Sequence, residues 1–153
     1  MEKLGIVGKV KITHKDKDGK ILSIDEGHNL VVNKGLEMMS KLLNGVSVLP
    51  FTFMQIGTGV TGADPANTTL GTPITTPSSM VIQAGTCEYE ASYIAKVYAT
   101  FTNNGVASIA VTEAGMFDAV TPGNMLCRKT FAAKNVAAAE AILVEWKITV
   151  ATV

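Results

Sequence analysis

A chain of 153 residues, 47% of them hydrophobic, is long enough to form one domain whose core needs neither disulfide nor metal support. Its 13 basic and 13 acidic residues cancel, which argues against a nucleic-acid binder, because phosphate affinity rests on clustered Lys and Arg. Charged residues are only 17% of the chain, below the usual quarter, as in a protein that keeps part of its surface against another subunit.

In the opening MEKLGIVGKVKI, charges interrupt the apolar residues, so no signal peptide is expected. Nowhere do eighteen apolar residues run together, so no bilayer span is expected either. Residues 4–13 and 20–25 predict two strands, with Asp18-Gly19 as a tight primed hairpin turn that uses the positive φ open to glycine. This N-terminal hairpin, 1–27, reads as an arm that is part of, or appended to, the domain occupying 28–153. A short helix over about 34–44 follows, with Leu36, Met39, Leu42 and Leu43 as its apolar stripe. Asn33 is placed to cap its start and Asn44-Gly45 to close its end.

F-T-F-M-Q-I (51–56) predicts a strand that runs into a long loop, 57–79, dense in Gly, Thr, Pro, Asn and Ser. A loop of that length in a compact domain is usually functional or reaches a partner. Residues 93–101 and 107–112 alternate as strands around the Asn103-Asn104-Gly105 turn. A further strand is expected at 125–131. The last, at 142–150, places Ile142, Val144, Trp146, Ile148 and Val150 on one face, and Ala137-Ala138-Ala139 reads as the tight approach to it. Several short antiparallel strands with one helix predict a mainly β fold, an antiparallel sandwich or jelly-roll-like barrel. The expected core includes Leu36, Met39, Leu43, Trp146 and Ile148.

The stretch I-G-T-G-V-T-G (56–62) places Gly57, Gly59 and Gly62 at the spacing of a dinucleotide fingerprint. That site needs a helix after the third glycine and an acidic residue about 20 positions on. Pro65, Gly71 and Pro73 forbid the helix, and after Asp64 no carboxylate occurs before Glu88. The glycines are therefore turn geometry and no cofactor is expected. D-K-D-G (16–19) lacks the glycine and glutamate that a calcium loop needs. His14 and His28 have no zinc-ligand spacing and read as solvated surface. Cys87 and Cys127 read as buried, reduced thiols. Glu113, in T-E-A-G-M-F-D, could be a buried general acid. With no second catalytic group near it in sequence, it reads instead as an acceptor of backbone N–H bonds at a strand end, where Gly115 lets the chain turn.

Several stretches occur in a fixed order: N-L-V-V-N-K-G-L (29–36), M-Q-I-G-T-G (54–59) with Thr68-Thr69-Leu70, T-E-A-G-M-F-D (112–118), M-L-C-R-K-T-F (125–131) and L-V-E-W-K-I-T-V (143–150). Together they resemble a widespread group of small tailed-bacteriophage virion structural proteins, over roughly residues 28–150. The resemblance implies a virion part rather than a catalyst, without cofactor, metal, membrane or nucleic-acid partner. A neutral chain is poorly suited to packaged genome, which places it on the outer capsid surface, assembled in the host cytoplasm.

The first reading is a capsid decoration (cement) protein, a symmetric oligomer and by expectation a homotrimer, bridging major capsid subunits. In that reading the N-terminal hairpin and loop 57–79 reach the neighbours, with Asp64, Pro65, Asn67, Leu70 and Pro73 at the interface. The alternative is a tail, baseplate or fibre-attachment module in host contact. An enzyme, such as a depolymerase, is disfavoured because the middle of the chain offers only Glu88, Glu90, Glu113 and Asp118 for paired carboxylates.

Overall fold

Two antiparallel five-stranded sheets lie face to face in the computed structural model, which describes residues 2–121 and 123–152. The elements are β1 (Leu4–Lys15), β2 (Ile21–His28), β3 (Leu30–Val31), helix α1 (Asn33–Leu43) and β4 (Phe53–Gly57). After a single 3₁₀ turn at Ser78–Met80 come β5 (Gln83–Ala84), β6 (Thr86–Glu90) and β7 (Ile94–Thr102). The chain closes with β8 (Ile109–Phe117), β9 (Met125–Val136) and β10 (Ala141–Thr152). The first sheet runs β2-β1-β10-β7-β6 and the second β3-β9-β8-β4-β5. The fold is thus the expected β-sandwich with one short helix.

The N-terminal hairpin is built into the sandwich. Strand β1 lies between β2 and β10, in register with β10 from Leu4 opposite Thr152 to Lys15 opposite Ala141. Period-2 alternation sends Val10, Ile12, Val144, Trp146 and Val97 inward, where they meet Met54, Ile56, Ala114, Met116 and Cys127 of the second sheet. Each such aliphatic side chain contributes about 1.5–3 kcal/mol on full burial. The Trp146 indole N–H donates to Asn29 Oδ1 at 2.8 Å, so the largest core side chain buries no unpaired donor.

Two local expectations are corrected. The first turn has positive φ only at Gly19 (84°). Asp16 organises it, its Oδ1 accepting the N–H groups of Asp18 and Lys20, both at 2.9 Å. A bulge follows, since His14 pairs with Ser23 but Lys15 pairs with Ile21. The helix starts after an extended Val32 with no side-chain cap, and the Asn33 N–H donates instead to the Pro65 carbonyl at 2.8 Å. Its end matches expectation, with Gly45 at φ 75°.

Leu36 and Leu43 do not belong to the core, being 47% and 81% exposed; Met39 and Leu42 only half-bury. The buried helical residue is Gly35, where a Cβ would stand 2.4 Å from the Leu126 carbonyl oxygen. Helix and sheet approach so closely there that glycine, not leucine, makes the contact.

Residues 111–118 are buried without alternation, because β8 is covered on both faces. The core covers one. The other is covered by the segment 58–73, which lies across the outer face of the second sheet and sets Leu70 beside Val32, Phe117 and Met125, before Ile74 and Met80 turn into the main core. What reads in sequence as a protruding loop is a strap forming a third layer.

Candidate functional site

The strap is held by two charged side chains that lie within the layers. Glu113 on β8 and Arg128 on β9 are 0% and 1% exposed. Both occupy the outer-face rows of the second sheet, since Gln55, Gly115 and Arg128 are cross-strand neighbours, as are Gly57, Glu113 and Thr130. Arg128 Nε and Nη2 both donate to Glu113 Oε2, at 3.0 and 2.8 Å, charge-assisted bonds that converge on one carboxylate oxygen and leave the other to the strap.

The pair also grips the strap's backbone. Glu113 Oε1 accepts the N–H groups of Gly59 at 2.9 Å and Thr72 at 2.8 Å, and Oε2 accepts that of Gly71 at 3.0 Å. Arg128 donates to the carbonyls of Thr61 (2.8 Å) and Gly62 (3.2 Å) and to Asn67 Oδ1 (2.8 Å). Thr112 Oγ1 adds a bond to the Gly59 carbonyl at 2.6 Å. Both limbs of the strap are thereby tied to adjacent strands, and the Gly57–Pro73 bridge closes its neck.

Burial pushes the Glu113 carboxyl upward, but the N–H groups of Thr72 and Gly71, the Arg128 guanidinium and the Gly59 N–H outweigh it and hold it below the usual carboxylate range. Glu113 is therefore ionised at neutral pH, and its acceptor capacity is spent on five donors. That chemistry is structural: a carboxylate so saturated neither shuttles a proton nor has a lone pair to offer a substrate.

The glycines of the opening motif follow from the clamp. A Cβ at Gly57 would lie 2.5 Å, and one at Gly59 2.4 Å, from Glu113 Oε1. Close approach of backbone to a buried anion, not a positive φ, requires glycine at both. Gly62 has open space and offers only its carbonyl. Gly115 is mid-strand and does not turn the chain: a Cβ there would stand 3.0 Å from Leu70 Cδ2 and 3.1 Å from the Phe117 ring. Glu113 does accept backbone N–H groups, as expected, but from mid-strand and from residues more than forty positions away.

The expected contact residues separate. Asp64 and Pro65 are exposed in a turn closed by Asp64 Oδ1 on the Ala66 N–H at 2.8 Å. Asn67 is half-buried and engaged by Arg128. Leu70 is buried against Phe117 and Met125, and Pro73 is half-buried. His14 is also buried, with Nε2 2.7 Å from Glu140 Oε2, a contact that corrects the solvated reading. Glu140 in turn accepts the Ala137 N–H at 2.9 Å, and that bond first, then His14, lowers its carboxyl. Cys127 is buried but Cys87 is exposed, and both are free thiols.

Arg128 was the residue that the motif reading passed over. Its signal was present: an arginine inside M-L-C-R-K-T-F must be paired if the strand is buried, and Glu113 is the matching carboxylate in the other apolar run. Among the described residues no group of three or more His, Cys, Asp or Glu side chains is placed to hold a metal ion, and no helix is long and apolar enough to cross a membrane. Comparison with protein-family models, curated proteins and solved structures returns no match for this chain.

Proposed function

We propose that this protein is a virion structural protein of a tailed bacteriophage, decorating the outer capsid surface as a cement protein. The observation that carries the reading is where the resembling stretches meet. Gly57 and Gly59, Leu70, Glu113 and Gly115, and Arg128 come from four stretches far apart in sequence, and all converge on the strap and its clamp. That these short motifs assemble into one device supports reading them as a unit.

The mechanism is mechanical. A three-layered body with its longest loop bonded down is a stiff block, and stiffness limits the ordering entropy lost on docking. Seated over junctions between major capsid subunits as a symmetric oligomer, it adds buried apolar area that internal pressure must break. The carboxylate that sequence offers to catalysis, Glu113, is consumed in holding the strap, which supports a structural role over an enzymatic one.

Electron cryomicroscopy of the particles that carry the protein tests this. Density for the sandwich on the head, in copy numbers set by capsid symmetry, is the expected result. A few copies on the tail would move the protein to the tail or baseplate, and its absence from particles would end the virion reading.

A further inference from the structure

The inner face of the first sheet carries more apolar surface than the second sheet covers. Cys87 and Tyr89 on β6 are cross-strand partners of the inward-facing Val97 and Ala95, yet both are exposed, Tyr89 by 74%. Across from this overhang stand Leu42 of α1 and Phe51, and between the walls lies an apolar cleft of about 270 Å³, floored by Val97 and Ile148. Its helix side is flanked by a ridge, residues 43–49, whose Leu43, Val46, Val48 and Leu49 all point apolar surface to water, Val48 by 79%. The ridge is held in shape: the Ser47 N–H donates to the Lys41 carbonyl at 3.1 Å and the Val46 N–H to Asn44 Oδ1 at 3.2 Å.

We infer that this cleft and ridge form the interface with a second copy of the same chain, the ridge of each copy seated in the cleft of the other. Two considerations select a copy of the chain over other occupants. The patch holds both a ridge and a cleft side by side, the self-complementary arrangement that a two-fold contact requires. Its size fits. The four ridge side chains with Tyr89 and Tyr93 leave on the order of 500 Å² of apolar surface in water, at about 60–120 Å² per aliphatic and 150–250 Å² per aromatic side chain. A standard-size reversible contact buries about 800 Å² per partner, somewhat over half of it apolar.

A two-fold contact makes a dimer where the sequence predicts a trimer, so the inference deepens only the symmetric-oligomer part of the proposed function, and it stands apart from where a particle carries the protein.

The test is the solution mass of the full chain by sedimentation, with Val48→Glu and Tyr89→Lys, both at exposed positions that leave the fold intact by circular dichroism. The expected result is an oligomer at about 100 μM by mass action, with each variant at least tenfold weaker in association. A monomeric wild type, or an oligomer indifferent to both substitutions, overturns the inference. So does a monomer whose binding to capsid shells is lost in Val48→Glu, because the patch then serves a different partner. Particle imaging decides the virion reading separately.

Discussion

Arg128 Nη2 lies 2.8 Å from Glu113 Oε2, the two side chains buried on neighbouring strands and wrapped by a strap that both of them bond. Two buried charges are costly to desolvate, and such a pair is tolerated only where further hydrogen bonds satisfy the remaining donors and acceptors. The strap backbone supplies those bonds. Pair and strap are therefore one energetic unit, each unstable without the other.

Removing one member leaves the other charge buried and alone. Arg128→Met should cost about 3–5 kcal/mol of unfolding free energy, and Glu113→Gln should fall in a similar range. The double variant Glu113→Gln/Arg128→Met should lose much less than the sum, because coupled neighbours are non-additive by about 0.5–3 kcal/mol. Denaturant titration of the four proteins measures the cycle. Additive losses would mean the two residues act independently.

Acid should loosen the strap. The folded-state pKa of Glu113 is depressed, so its contribution is fully present above the unfolded value of about 4.3. It is lost as pH falls through the lower folded value, because the unfolded state binds the proton first. Glu37, lowered to about 2 by Lys34 and then Lys41, is fully exposed, and added salt screens it. Stability measured from pH 7 down to about 3 in high salt should fall for the wild type and fall less steeply for Glu113→Gln, where Glu140 still contributes. Equal slopes in the two proteins would remove Glu113 from the acid response.

The strap glycines should differ sharply from one another. Ala at Gly59 meets the Glu113 carboxylate, and Ala at Gly57 meets both it and the Thr72 carbonyl oxygen, 2.6 Å away. Each should destabilise by about 1–3 kcal/mol through overpacking. Gly62→Ala, with nothing within 4 Å, should stay within about 0.5 kcal/mol of wild type. Thermal unfolding of the three variants compares them directly.

On the helix, Gly35→Ala should be harmful although alanine is the better helix former by about 1 kcal/mol, because the new methyl meets the Leu126 backbone. Leu36→Ala, at an exposed site, should change stability by at most about 0.5 kcal/mol. A destabilising Leu36→Ala with a neutral Gly35→Ala would reverse the assignment of the helix's packed face.

Much of the fold is legible in the sequence because strand alternation is a local signal. Ile142, Val144, Trp146 and Ile148 read as one buried face, and they are. Gly19 and Gly45 mark turns for the same local reason. The strap was not legible, since its layer depends on bonds between residues more than forty positions apart, and polar, glycine-rich composition looks the same whether a loop projects or is pinned. The burial of Leu70 and the exposure of Leu36 and Leu43 follow from that third layer and from the close helix contact at Gly35. Neither is a periodic feature. Glu113 was found as an acceptor of backbone N–H groups, but its partner Arg128 needed the question of where a buried arginine finds its counter-charge.

Amide hydrogen exchange at Gly59, Gly71 and Thr72 tests the clamped strap most directly, because these are the three N–H groups that Glu113 accepts. The account predicts protection approaching that of the core strands in the wild type. In Glu113→Gln that protection should fall selectively at these three positions while β10 amides stay protected. Exchange of the three amides in the wild type at the rate of an open loop would contradict it.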